Sequence, residues 1–362
     1  MNRKYWFWIN NIPGIGNIKI RRLLKAFDDI PDKIAAADRK KLMTVEGITE
    51  RDADKILDCN FRADIFKRFD EYNVKRTRFV FPVDKEYPDR LRELYDRPNI
   101  IYYNGKIPGG EKKRVAVVGS RNCSEYGRSV AMELGRVLAT SGADVISGLA
   151  LGIDAAAHRG AVLAGGNTYA VLAGGVDLCY PRQNFNIYMD IIENGGVLSE
   201  FPEGTATKPG MFPLRNRIIS GLSDAVIVVE AGEHSGSLIT AAQALDQNRQ
   251  VYAVPGRIGT ADSLGSNRLI AQGAQIVTSF DELLKDLDLD CNKSPESKKI
   301  NFLLASDEKM LYSQLLDFSP KSIESLIKDS KLPQGRIFQA LLSLELKGLI
   351  REISKNFYIR IM

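Results

Sequence analysis

A chain of 362 residues, 44% hydrophobic and 26% charged, has room for two or three globular domains and an ordinary buried core. No run reaches the roughly 18 uncharged apolar residues that span a bilayer, and the opening MNRKYWFWINNIPGIG lacks the apolar core and cleavage site of a secretory leader, so no membrane partner is expected. A net charge of +5 does not by itself establish nucleic-acid binding, and four dispersed cysteines with two histidines form neither a disulfide framework nor a zinc site, which suits free thiols in a cytoplasmic protein.

Residues 1–75 read as a helical domain. Ile12-Pro13-Gly14-Ile15-Gly16 and Val45-Glu46-Gly47-Ile48-Thr49 resemble each other, and each precedes a charged amphipathic stretch, 19–27 and 51–57. A hydrophobic-Gly-hydrophobic-Gly turn before a helix resembles the helix-hairpin-helix motif, in which glycine lets backbone N–H groups approach a phosphate. Only the first segment has both glycines, since Thr49 stands in the second. DNA contact and simple packing of a SAM-like or helix-hairpin-helix-like domain are both open. Residues 76–112 form a connector whose four prolines limit long helices, and the run 100–103 is expected to add an edge strand to a following sheet.

The central domain, 76–285 with its connector, alternates strand and helix. Strands are expected at 115–118, 144–147, 168–172, 196–199, 225–229, 251–254 and 275–277, with a helix at about 125–141. The strands are short and apolar on both faces, the pattern of a mostly parallel sheet covered on both sides. Nearly every one ends in a small or polar loop, and six such loops on one sheet edge would build a single long groove at the edge where open α/β sheets bind ligands. Residues 286–300 are polar and read as a linker. Residues 301–362 read as helices near 307–317, 322–329 and 333–347, then strands at 349–353 and 357–361, the order of a winged-helix module. The third helix has Arg336 and Lys347 as its main cations, so DNA contact and protein contact are both open.

The first strand runs into Gly119-Ser120-Arg121 and not into GxGxxG, and no P-loop or GxSxG elbow is present, so the usual fingerprints of dinucleotide binding, ATP hydrolysis and serine hydrolysis are missing. No cofactor is expected. What the loops do offer is cations: Arg121, Arg182 after Tyr180-Pro181, Lys208 within GTATKPGMFPLRNR, and Arg215 and Arg217 at the end of that loop, opening a helix. Ser235-Gly236-Ser237 opens another helix, whose first N–H groups form an anion site. A nucleotide needs one or two such anchors; five cations suggest several phosphates in a row. Phe212, Tyr126 and Tyr180 lie beside the basic loops, and aromatics in a phosphate groove can stack unpaired bases, which favours a single strand over a duplex.

These motifs resemble the DNA-processing protein A family (DprA, also called Smf). The resemblance rests on Val117-Val118-Gly119-Ser120-Arg121, on Ser147-Gly148-Leu149-Ala150-Leu151-Gly152-Ile153-Asp154 with His158, and on Gly174-Gly175-Val176-Asp177 with Tyr180-Pro181. It continues through Leu198-Ser199-Glu200, Phe212-Pro213-Leu214-Arg215-Asn216-Arg217, Ser235-Gly236-Ser237-Leu238-Ile239-Thr240-Ala241 and Ala253-Val254-Pro255-Gly256. It implies an extended Rossmann-like domain that binds single-stranded DNA, forms a homodimer and loads a RecA-type recombinase during natural transformation or recombination, with no catalytic reaction. Its DNA pocket maps onto the Gly119-Ser120-Arg121 turn and onto Phe212 with Arg215, Asn216 and Arg217, and more loosely onto Lys208. Arg182 and the Ser235–Ser237 turn come from the physical reading alone. The alternatives are a nucleotide hydrolase of the lysine-decarboxylase-like group, for which Thr240 stands where its motif has an acid, and a nucleotide-sensing module needing only the GSR and SGS anchors.

Overall fold

The strand that runs into Gly119-Ser120-Arg121 becomes an interior strand of a nine-stranded sheet. The computed structural model describes residues 2–72, 75–289, 305–315, 321–330, 332–347 and 349–360. The N-terminal helices are α1 (Arg3–Asn10), α2 (Asn17–Ala26), α3 (Pro31–Ala36), α4 (Arg39–Met43), α5 (Glu50–Leu57) and α6 (Cys59–Glu71). The aromatic start of the chain is core: Trp6, Phe7 and Trp8 are buried, and the Phe7 ring meets Phe69, Tyr72, Phe79 and Tyr102. This aromatic cluster continues the core of the helical domain into the sheet.

Thr49 replaces a glycine for a local reason. Its hydroxyl accepts from Asp52 N–H at 3.3 Å while the Asp52 carboxylate accepts from Thr49 N–H at 3.0 Å, a capping box that starts α5. The two glycine turns are tied to each other. Lys55 Nζ donates to the Pro13 carbonyl at 2.8 Å, and Arg22 Nη1 donates to the Glu46 carbonyl at 3.2 Å. Lys55 and Arg22 are each the sixth residue of their helix, so the two hairpins clasp one another with equivalent side chains.

The sheet contains β1 (Arg78–Val80), β2 (Ile101–Gly105), β3 (Arg114–Val118), β4 (Asp144–Ser147), β5 (Thr168–Val171), β6 (Gly196–Ser199), β7 (Ala225–Val228), β8 (Gln250–Ala253) and β9 (Gln275–Ile276). Their order is β1-β2-β6-β5-β4-β3-β7-β8-β9, with β1/β2 and β2/β6 antiparallel and every other neighbouring pair parallel. The expected edge strand at 100–103 is therefore one strand in from the edge. The three-residue β1 covers it, too short to show as a periodic run. Interleaved are α7 (Asp89–Arg92), α8 (Glu125–Thr140), α9 (Ile153–Leu163), α10 (Phe185–Asn194), α11 (Met211–Leu222), α12 (Gly236–Asp246), α13 (Leu264–Ala271) and α14 (Phe280–Asp286). Strands β3 to β7 are buried throughout, as both-face coverage requires.

Most of the expected linker, residues 290–300, lies outside the described residues. Beyond it come α15 (Ser306–Gln314), β10 (Lys321–Ser322), α16 (Ile323–Ser330), α17 (Gln334–Leu346), β11 (Ile350–Ser354) and β12 (Phe357–Arg360), with a three-stranded sheet in the order β10-β12-β11. Sequence reading missed the two-residue β10, which completes the winged helix. The two cations of its third helix are both engaged, Arg336 with Asp307 at 2.6 Å and Lys347 with Glu308 at 2.7 Å, while Phe338, Leu342 and Leu346 stand exposed at helical spacing. No helix among the described residues is long and apolar enough to cross a membrane.

Candidate nucleic-acid interface

The chain leaves β3 toward β4, β5 and β6, then returns to place β7 on the other side of β3. The loops after β3 and β7 diverge at this switch point, which is where open α/β sheets form a ligand crevice. A cavity of ≈ 400 Å³ opens there. Its walls are Gly119, Ser120 and Arg121 after β3, Ala150 and Asp154 after β4, Phe212, Arg215 and Asn216 on α11, and His234 to Ser237 at the start of α12, with Thr240 and Asp262 beside them. The six expected loops do not contribute equally: those after β5 and β6 bond to each other, through Ser199 Oγ to the Gly174 carbonyl at 2.6 Å and Gly204 N–H to Asp177 at 3.0 Å.

The floor is a buried polar assembly. The Asp154 carboxylate accepts from Gly148 N–H at 3.0 Å and Ala150 N–H at 3.3 Å, folding the turn after β4 back onto the start of α9. That fold needs left-handed backbone at Leu149, with φ of 56°, and at Gly152, with φ of 77°. A Cβ on Gly148 would fall within the Arg215 guanidinium, so glycine is what lets the arginine approach. Arg215 Nη1 donates to the Gly148 carbonyl at 2.6 Å and also to the Val171 carbonyl, and its Nε donates to Asn216 Oδ1 at 3.0 Å. Burial lowers the Arg215 pKa to about 10, reinforced by the charge of Arg121 and opposed by Asp154, so it stays cationic at neutral pH. Burial likewise raises the Asp154 pKa, with Arg215 pulling it back.

Above this floor, Arg121 is exposed and makes no ion pair among the described residues. Its guanidinium lies over the Phe212 ring, and the Tyr180 ring stands 6.1 Å from that of Phe212. Ser235 caps α12, its Oγ accepting from Ser237 N–H at 3.4 Å and lying 2.8 Å from Ser237 Oγ.

The structure thus brings Gly119, Ser120, Arg121, Phe212, Arg215, Asn216, Ser235, Gly236 and Ser237 around one cavity. Arg182 and Lys208 are exposed outside it, and neither makes an ion pair among the described residues. Arg217 is the correction. Its Nη2 contacts Glu200 at 2.8 and 2.6 Å, its Nε lies 3.4 Å from Asp96, and it is buried on the far side of α11. The expected loop is helix from Met211, because Pro213 sits in the first turn, where proline is tolerated. Side chains two apart in a helix are separated by about 200° around the axis, so Arg215 and Arg217 face opposite ways. Tyr126 also lies elsewhere, lining a neighbouring cavity with Ser124 and Arg257.

Sequence reasoning missed Asp154 and Asp262 as cavity residues. Asp154 ends the SGLALGID motif, and a carboxylate in the first turn of a helix reads only as a dipole partner. His158 is not in the cavity wall. Thr168 Oγ1 donates its single proton to the Val145 carbonyl at 2.9 Å, so it accepts from His158 Nδ1 at 2.7 Å; that fixes the proton on Nδ1 and leaves buried Nε2 bare.

Comparison with known proteins places this arrangement. A family model described as DNA recombination-mediator protein A matches residues 78–288, a SAM-like helix-hairpin-helix tandem matches residues 9–59, and a DprA winged helix domain matches residues 296–354. The chain is 36% identical over 287 residues to Protein Smf of Synechocystis, covering 78% of this chain and 72% of that one. Its fold resembles that of DNA processing protein A from Streptococcus pneumoniae, with a TM-score of 0.69 at 33% identity over 78% of this chain and 97% of the other. It also resembles DNA processing protein A from Helicobacter pylori, whose structure was described for its single-stranded DNA binding mode, with a TM-score of 0.54 at 28% identity over 59% of this chain and 98% of the other. A family match over more than half of its length, carried on a Rossmann-like sheet flanked by the same two accessory modules, makes this chain a member of the DNA recombination-mediator protein A family.

Proposed function

We propose that this protein binds single-stranded DNA in the switch-point cavity and passes the coated strand to a RecA-type recombinase, acting as a cytoplasmic homodimer and catalysing no reaction. The observation that carries the reading is the pairing of an exposed cation, Arg121, with the Phe212 ring at the mouth of a cavity whose deep carboxylate, Asp154, is turned onto backbone N–H groups. Such a mouth offers phosphate oxygens a charge and an unstacked base a ring. A duplex keeps its base faces inside and gains only the charge. Arg182 and Lys208, exposed outside the cavity, would continue the contact along the strand, and the family description as a recombination mediator supports the recombinase as the recipient. Thr240, which lines the cavity, stands at the position where the hydrolase motif has its acid, and this supports a binding role over that alternative. In the winged helix, ion-paired cations and an exposed Phe338–Leu342–Leu346 face support protein contact over DNA contact. The test is fluorescence anisotropy with labelled oligo-dT and a matched duplex. Tight binding of the single strand alone, lost in Arg121→Ala, is the expected result; equal affinity for both, unchanged in the variant, overturns the reading.

A further inference from the structure

A second pocket, of ≈ 300 Å³, lies between α2 and the loop that follows α7. It is lined by Arg21, Arg22, Lys25 and Arg97, with Tyr95 and Ile18 as apolar walls. Tyr95 is 79% exposed, and the Arg21 guanidinium lies 5.5 Å from its ring centre. Burying so little of a tyrosine while laying an arginine over it wastes apolar surface unless something covers both. Arg22 is committed to the Glu46 carbonyl of the second hairpin, but Arg97 has a buried Nε with no partner, and neither Arg21 nor Lys25 makes an ion pair among the described residues. One carboxylate, Asp29, stands among the four cations.

The pocket is fixed to the ligand-binding edge of the sheet. Asn17, at the start of α2, donates to Glu200 just beyond β6, and Asn99 Nδ2 donates to Asn17 Oδ1 at 3.1 Å. Arg217 joins Glu200 to Asp96, the residue between Tyr95 and Arg97. One helix, α11, therefore separates the two pockets: its Phe212 and Arg215 face the switch-point cavity, and its Arg217 braces the loop that carries Tyr95 and Arg97. A helix with its side chains is about 10–12 Å across, a distance that a few nucleotides of extended strand cover. Both sites present the same device, an arginine over an accessible aromatic ring.

We infer that this pocket is a second subsite for the same single strand, holding phosphates on Arg21, Lys25 and Arg97 and a base against Tyr95. The inference rests on the proposed single-strand binding at the switch point. It gives the helical domain a nucleic-acid role that does not use its glycine turns, which Lys55 and Arg22 already occupy.

The experiment compares two oligo-dT lengths by anisotropy, one just filling the switch-point cavity and one several times longer, over a salt series. For Arg21→Ala/Lys25→Ala/Arg97→Ala, affinity for the short strand is expected to stay at the parent value. The long strand should bind at least about tenfold more weakly, with a salt slope smaller by roughly 2, at about 0.7 per single-strand phosphate contact. Tyr95→Ala, a change at a surface position, should weaken only the long strand, by roughly fivefold or more from lost stacking, and keeps the test valid if the triple variant folds poorly. Unchanged long-strand affinity in Tyr95→Ala and in a folded triple variant overturns the subsite, as does an equal loss for both lengths. Arg121→Ala separates the two ideas: if it keeps full affinity for the short strand, the switch-point reading fails first.

Discussion

The guanidinium of Arg121 lies 4.8 Å from the centre of the Phe212 ring, while the buried guanidinium of Arg215 lies 5.9 Å from the same centre. One arginine is fixed by strand-end carbonyls, and the other lies over the ring with no ion pair among the described residues. The free one is the candidate phosphate ligand, and the fixed one supplies a permanent positive field beneath it.

Removing the free charge should therefore act on affinity and not on folding. Arg121→Ala is expected to leave the melting temperature within about a degree or two of the parent, as for a surface change. The salt slope for oligo-dT binding should fall by about 0.7, the value for one single-strand phosphate contact. Anisotropy titrations at several salt concentrations, with a thermal melt, measure both.

The ring makes a different prediction. Phe212→Leu should weaken oligo-dT binding by about 1–3 kcal/mol, the usual worth of one base–aromatic stack, with no change in salt slope. Phe212→Tyr should bind like the parent. A slope that changes with the leucine variant would mean that Phe212 acts by holding Arg121 and not by stacking a base.

Arg217 should behave as a structural residue. Its partner Glu200 is largely shielded from solvent, so Arg217→Ala leaves that carboxylate with the Asn17 amide as its remaining hydrogen-bond partner among the described residues and should cost about 1–3 kcal/mol of stability. Replacing both, as Arg217→Met with Glu200→Gln, should recover much of that loss. Urea unfolding of the single and double variants tests the pair, and folded protein from either should keep the parent salt slope at the switch point.

His158 sets an acid limit. Burial lowers its pKa to about 3, with Arg215 adding to the effect, against 6.5 for the ordinary group. Between those values the unfolded chain binds a proton that the folded chain refuses, so stability rises with pH there and is lost as pH falls from about 6.5 toward 3, by up to about 1.4 kcal/mol per unit. The difference in unfolding free energy between the parent and His158→Asn should therefore shrink as the pH is lowered through this window. A constant difference from pH 7 to pH 4 would show that the folded protein takes up the histidine proton as readily as the unfolded chain does.

The alternating sheet was legible because its strands are buried on both faces, which leaves continuous apolar runs ended by small polar loops. Arg121 was legible for a similarly local reason, since a cation immediately after a buried strand has to sit at the sheet edge. The different fates of Arg215 and Arg217 were not. The pair read as groove cations opening a helix at the end of a loop, whereas the helix already begins at Met211 and turns one into the cavity floor and the other into an ion pair. The contribution of Asp154 depends on the reverse turn at Leu149 and Gly152, and no pattern of residue types announces that turn. The two shortest strands, β1 and β10, escaped because two or three residues carry no periodicity.

Arg215 also ties the end of β4 to the end of β5, since one nitrogen bonds the carbonyls of Gly148 and Val171. Those strand ends cannot part without abandoning a buried charge. The cavity is consequently preformed and stiff, and ligand capture should be a single bimolecular step whose observed rate climbs linearly with DNA concentration, limited by charge-guided encounter and not by a prior opening of the protein.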